Sequence, residues 1–169
     1  VGGAGLLITE MTDVSPEGRI TLGCTGMWSD AQEAAWKRIV EFAHRSSKAR
    51  IGIQLAHAGR KASYTKPWEG DRPLRDDEGA WETLGPSALP FGPGWPAPRA
   101  MDRADMDRLV QAFCAALEGR KDRIPWYGEG PMRLDLMCKS TKEGPLPIPL
   151  HPAAEQFWRE RGYLSPEGE

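Results

Sequence analysis

The chain has no closely spaced pair of cysteines. Its three, Cys24, Cys114 and Cys138, are odd in number and far apart. That argues against a disulfide framework and against a C-x-x-C zinc site. Reduced thiols in a cytoplasmic protein are the plain reading. The three histidines, His44, His57 and His151, lack metal-ligand spacing, so no metal is expected. No apolar run approaches the roughly 18 residues of a membrane-spanning helix. A signal peptide is not visible either, and the sequence begins at Val1 rather than Met. Neither sign of charge dominates: the formal net charge is -2 over 169 residues. Composition therefore makes no electrostatic case for nucleic acid or an anionic membrane as partner. Internal repeats and low-complexity tracts are absent.

What is present reads as one ordinary-sized, loop-rich domain. Nineteen glycines and fifteen prolines make about a fifth of the chain, and 40% of residues are hydrophobic. Gly5-Leu-Leu-Ile-Thr-Glu10 is a short apolar run of the kind that forms a buried parallel strand. Residues 12–27 read as loop, with a turn at Ser15-Pro16-Glu17-Gly18. Ser29 and Gln32 form a capping-box signature. After it, Ala35, Trp36, Ile39, Val40 and Ala43 recur at helical spacing, leaving Glu33, Lys37, Arg38, Glu41 and Arg45 for solvent. This helix is expected to end near His44. Ile51–Leu55 is the next strand, so the order is strand, helix, strand, a parallel βαβ unit. A structureless stretch is expected from about Gly59 to Ala100. Asp102 then caps a helix that presents Met106, Leu109, Val110, Phe113 and Leu117, with Gly119 placed to stop it. Residues 120–149 show no clear period, although Met132–Met137 fits a brief strand or helical turn. A short helix is expected near 151–161, with Pro152 in its first turn. Two strands and three helices leave the faces and edges of a sheet uncovered.

The run from Ile51 to Lys61, Ile-Gly-Ile-Gln-Leu-Ala-His-Ala-Gly-Arg-Lys, carries the chemistry. In α/β proteins ligands bind at the C-terminal ends of parallel strands. Gln54 lies inside the strand, and its amide can donate and accept at once; a buried glutamine satisfied by backbone is the alternative. His57, Arg60 and Lys61 gather at the strand end. They suit an anionic group, or equally a loop ion pair. Glu10 has no partner at readable spacing and is expected to pair with an arginine such as Arg60. Trp68, Trp81 and Trp95 either line a pocket or pin the long loop. Gly2-Gly3-Ala4-Gly5 precedes a strand and is not a phosphate loop.

Residues 2–118 resemble the old yellow enzyme family of NADH:flavin oxidoreductases. The resemblance rests on GLLITEMTDVSPEGRI (5–20), WSD (28–30), IGIQLAHAGRKAS (51–63), PSALPF (86–91) and PRAMDRADMDRLVQAF (98–113). TEMTDVSPEGRIT and KPWEGDRPL (66–74) are most similar to the branch that acts on aromatic CoA thioesters, such as salicylyl-CoA hydroxylase. The resemblance implies an FMN-dependent oxidoreductase on an α/β fold, a (β/α)8 barrel, with NAD(P)H as reductant. An aromatic CoA thioester or an enone is the implied substrate, and the choice of NADH or NADPH stays open. Gln54 is implied to contact the pyrimidine edge of the flavin. Met11 is implied to lie beside the reactive edge, where the alternative is a core methionine.

A full barrel takes roughly 250 residues or more, so the expectation is a partial barrel of about two strands. The family's substrate-binding His-x-x-His or His-x-x-Asn pair is implied after Ala116. This chain instead reads Leu117-Glu-Gly-Arg-Lys-Asp-Arg-Ile-Pro125, and no catalytic residue is assigned. The expected division is a barrel fragment at 1–118 and an unrelated or irregular tail at 119–169. Residues 147–162 resemble the C-terminal end of TAXI-type solute-binding proteins of TRAP transporters. The chain is therefore expected to be an incomplete, inactive fragment of a flavin enzyme; a piece of a TRAP-type binding protein and a fused reading frame with a break near 117–125 are the alternatives.

Overall fold

In the computed structural model, residues 3–118 and 150–164 are described. The expected stop at Gly119, the Met132–Met137 segment and most of the frame-break region lie outside them.

Three parallel strands form the main sheet in the order β2-β1-β3. Strand β1 spans Leu6–Asp13, β2 spans Thr25–Gly26 and β3 spans Arg50–Ala56. Helix α1, Asp30–Ser46, connects β2 to β3. Its capping box is present: Ser29 Oγ accepts from the Gln32 N–H, and the Gln32 side chain accepts from the Ser29 N–H at 3.1 Å. The βαβ expectation holds, with β1 three residues longer than its apolar run. Those residues, Met11, Thr12 and Asp13, pair with Gln54, Leu55 and Ala56. Strand β2 lies within the stretch read as loop. Two residues carry no period, and only their pairing with Thr12 and Asp13 makes them a strand.

Helix α1 buries a stripe different from the expected one. Glu33 and Val40 are buried, while Ile39 and Phe42 are exposed. Glu33 stands one turn before Trp36 and two before Val40, on the same stripe, so the inner face takes in a residue expected in solvent. The flank carrying Ile39 and Phe42 is apolar and uncovered. Leu6, Leu7 and Ile8 of β1 are also exposed, so the run expected to be buried is not, because the sheet lacks cover on this side.

The stretch from Gly59 to Ala100 is ordered, not structureless. It contains three short 3-10 turns, Gly59–Lys61, Pro67–Glu69 and Asp76–Glu78. It also contains a parallel pair, β4 (Leu84–Gly85) and β5 (Arg99–Ala100). Long-range bonds hold it in place: the Tyr64 N–H donates to the Ile20 carbonyl at 2.8 Å, and the Leu74 N–H to the Ser63 carbonyl at 2.9 Å. Arg72 grips Glu78 through two bonds of 2.7 Å.

Helix α2, Arg103–Glu118, has Asp102 at its start, where the Asp102 carboxylate accepts from the Asp105 N–H at 2.8 Å. It uses two apolar stripes. Leu109, Ala112, Phe113 and Ala116 meet the core of Val14, Met27 and Val40. Val110, Cys114 and Leu117 meet helix α3, Pro152–Glu160, through Ala154, Phe157 and Trp158. The helix expected near 151–161 is present, and His151 Nδ1 caps it by accepting from the Ala153 N–H at 3.2 Å.

Candidate functional site

The C-terminal halves of β1 and β3 bring Met11 and Gln54 into direct register as Cα partners. The ladder is irregular just before them. Ile8 pairs with Gly52 and Met11 with Gln54, so Thr9 and Glu10 stand opposite Ile53 alone. This is a β-bulge, a device that re-aims side chains next to binding sites. Thr9 repairs the interrupted ladder, its hydroxyl accepting from the Gln54 N–H at 3.1 Å. The Met11 carbonyl accepts from the Thr25 hydroxyl at 3.2 Å. Met11 is half-buried, and the Gln54 side chain is exposed. Among the described residues the Gln54 amide has no hydrogen bond, so both its donor and its acceptor remain available. The alternative of a buried, backbone-satisfied glutamine does not apply.

The cationic cluster does not act as a unit. His57 is wedged against Gly18 and accepts from the Gly59 N–H through Nδ1 at 3.1 Å. Burial pushes its pKa down, with Glu17 opposing and Arg108 adding to the shift. His57 thus serves as a strut between Gly18 and Gly59. Glu10 forms no ion pair with Arg60 among the described residues. Glu10 is exposed.

Sequence reasoning passed over Asp13. It is fully buried at the end of β1, and among the described residues neither carboxylate oxygen has a hydrogen-bond partner. Burial raises its pKa from the ordinary 3.8 to about 7, with Arg19 opposing and Glu10 adding to the shift. A polar residue closing an apolar run was the available signal. Arg19 itself lies between two indoles, 5.8 Å from the Trp28 ring and 5.0 Å from the Trp81 ring.

The tryptophans divide between the two readings. Trp81 pins the loop, its indole donating to the Glu17 carbonyl at 3.0 Å. Trp95 supports Tyr64 by stacking at 4.4 Å. Trp68 lines a cavity of about 540 Å³ together with Glu10, Lys61, Tyr64, Lys66 and Phe91. Tyr64 and Phe91 were not singled out from sequence, because only the fold brings them to Lys61.

No helix among the described residues is long and apolar enough to cross a membrane. Nor does any group of acidic, histidine or cysteine side chains among them have the arrangement of a metal site.

The sequence model of one family, described as the NADH:flavin oxidoreductase / NADH oxidase family, matches residues 1–121. An NADH:flavin oxidoreductase of Gibberella zeae is 42% identical over 118 residues, covering 68% of this chain and 28% of the relative. An NADPH dehydrogenase of Geobacillus thermodenitrificans is 38% identical over 113 residues, covering 67% and 28%. Among solved structures, morphinone reductase superimposes with a TM-score of 0.55 at 31% identity, covering 71% of this chain and 33% of that one. Old Yellow Enzyme from Pichia sp. AKU4542 does so with a TM-score of 0.55 at 29% identity, covering 68% and 29%. The chain thus spans about 28% of the length of these two sequence relatives.

Proposed function

The chain belongs to the NADH:flavin oxidoreductase / NADH oxidase family, and from that premise we propose that its β1–β3 edge is one wall of an FMN site in an NAD(P)H-dependent oxidoreductase. Its parallel sheet and flanking helices form part of a (β/α)8 barrel like those of its structural relatives. The single observation that carries the proposal is the pairing of Met11 with Gln54 at a bulge, with the Gln54 amide exposed and unbonded among the described residues.

That donor set fits a flavin. The pyrimidine edge of an isoalloxazine ring alternates donors and acceptors, and a side-chain amide can meet both. Gln54 would hold that edge. Met11 would place its backbone beside the ring, its carbonyl steadied by Thr25. When bound, the flavin supplies hydride transfer between a nicotinamide and an oxidised substrate. The chain's residues orient the ring; no proton-transfer role is assigned to any of them. For the whole protein the proposed substrate is an enone or an aromatic CoA thioester. TEMTDVSPEGRIT and KPWEGDRPL support the thioester, and Trp68 of the latter motif lines the cavity beside β1. The proposed division puts this role in residues 1–118 and none of it in 119–169.

Flavin titration tests the site. FMN added to the 169-residue chain should bind weakly, since only one wall of the site is present, with a shift in visible absorbance at high concentration, and Gln54→Leu should weaken that binding by about tenfold, as expected for losing a bidentate amide contact. Equal affinity of the Leu variant would overturn the assignment of Gln54.

A further inference from the structure

The cavity beside β1 has a composition that the flavin contacts do not explain. Neither Met11 nor Gln54 lines it. Its volume of about 540 Å³ lies in the range of small-molecule sites. We propose that this cavity binds a flat aromatic carboxylate, held between the Trp68 and Phe91 rings with its anion on Lys61. The inference goes beyond the flavin contacts at Met11 and Gln54 and is independent of them, and it shares Trp68 with the thioester reading of the substrate.

Three observations converge on that ligand. The first is aromatic surface. Trp68 is 79% exposed, an unusual position for an indole, yet it lines the cavity. A flat ring laid against it would remove that apolar face from water, and offset or edge-on ring contacts are favourable beyond their area. Phe91 and Tyr64 complete the aromatic lining, and Trp95 holds both, stacked on Tyr64 and edge-on to Phe91 at 4.7 Å.

The second is uncommitted positive charge. Lys66 is paired with Glu69 at 2.8 Å. Lys61 has no acidic partner among the described residues; its ammonium lies 5.7 Å from the centre of the Phe91 ring. A carboxylate on a ligand ring that packs near Phe91 would meet this cation directly. Two acids share the lining. Asp71 accepts from the Tyr64 hydroxyl, which occupies its charge. Glu10 is not so engaged among the described residues, and its repulsion would direct the ligand's anion to the Lys61 end.

The third is imposed geometry. Ser63 and Asp71, the residue before Tyr64 and the residue bonded to it, both adopt positive φ, 59° and 52°. Left-handed backbone is rare for residues other than glycine. Burial and the Asp71 bond raise the Tyr64 pKa to about 12, so the phenol stays neutral and keeps this bond throughout the physiological range. The loop holds a fixed aromatic wall at the expense of local strain, a pattern concentrated at ligand sites.

Calorimetric titration of the full chain, without flavin, decides the matter. The probes are 2-naphthoate, its saturated analogue decahydronaphthalene-2-carboxylate, and 2-naphthylmethylamine. The naphthoate should bind about tenfold more tightly than either, one comparison reporting ring contacts and the other charge. Lys61→Met and Trp68→Ala should each weaken it by about tenfold; both side chains are exposed, so neither change should unfold the chain. Glu10→Gln should tighten it. Naphthoate binding no tighter than its saturated analogue, a preference for the amine, indifference to Lys61→Met, or weaker binding in Glu10→Gln would each overturn the proposal. Weakened FMN binding in Gln54→Leu with naphthoate binding intact would show the two sites to be separate, and failure of either assay alone identifies which reading has failed.

Discussion

The Gln54 N–H donates to the Thr9 hydroxyl at 3.1 Å, and this bond replaces the ladder contact that the β1 bulge removes. A side chain thus does the work of backbone at the point where Met11 and Gln54 meet. The proposed flavin wall depends on it, because the bond sets the height at which Gln54 leaves the strand.

Thr9→Val keeps the β-branched shape and removes the acceptor. Thermal unfolding should show a loss of about 1 kcal/mol, the usual net value of one hydrogen bond. FMN affinity should fall more in this variant than in Thr25→Val, which frees the Met11 carbonyl and the Thr12 hydroxyl but leaves the Gln54 N–H bonded. Equal effects of the two changes would remove the special role of the bulge.

Asp13 should give the chain an unusual pH dependence. Its folded pKa of about 7 lies above the ordinary 3.8. Between those values the unfolded chain releases the proton and the folded chain keeps it, so this group's contribution to stability declines as pH rises from about 4 to about 7 and is constant beyond. Asp13→Asn lacks the titration. It should match the parent near pH 4 and exceed its melting temperature at pH 8. Glu17, whose pKa is held down by the Arg108 hydrogen bond and charge against the effect of its burial, is common to both proteins and cancels in the difference. Parallel melting curves across that range would show that Asp13 ionises normally.

Local signals were readable and non-local ones were not. The Ser29–Gln32 capping box involves neighbours in sequence, so its residue types announce it. Gln54 and Lys61 stood out because a polar group inside an apolar strand, or a charge just past its end, is conspicuous by itself. Strand β2 was hidden because Thr25 and Gly26 become extended only through pairing with Thr12 and Asp13. Glu33 was misplaced because a charged residue was assumed to face solvent, although it shares a stripe with Val40. The cavity was out of reach for a similar reason. Tyr64 reaches it through a bond to Ile20, and Phe91 through contact with Trp95, and neither contact has a sequence period.

His57 and Gly18 are coupled by volume. A Cβ on Gly18 would lie 2.6 Å from His57 Cδ2, closer than side chains tolerate. Gly18→Ala should therefore destabilise by about 1–3 kcal/mol, the range for overpacking. Trimming the ring makes room, so the Gly18→Ala/His57→Ala double variant should be more stable than the sum of the two single effects, with a coupling of at least about 0.5 kcal/mol. Strict additivity in denaturant titrations would mean that the two residues do not press on one another.

Helix α3 should act as a clamp on α2. Trp158 is buried and meets Phe157 edge-on at 4.9 Å and Tyr163 at 5.6 Å. Arg161 ties the end of the helix back to Glu118 at 3.3 Å. The second apolar stripe of α2, Val110, Cys114 and Leu117, has its contacts in this cluster. Trp158→Ala should therefore cost about 3–5 kcal/mol, the range for emptying a large aromatic site. Hydrogen exchange should show faster exchange along residues 110–117 of α2, while exposed Gln156→Ala leaves it unchanged. If instead the C-terminal segment is an independent tail, Trp158→Ala will alter exchange only within residues 150–164. That outcome would remove the clamp and leave the α2 stripe without an energetic role for its partner.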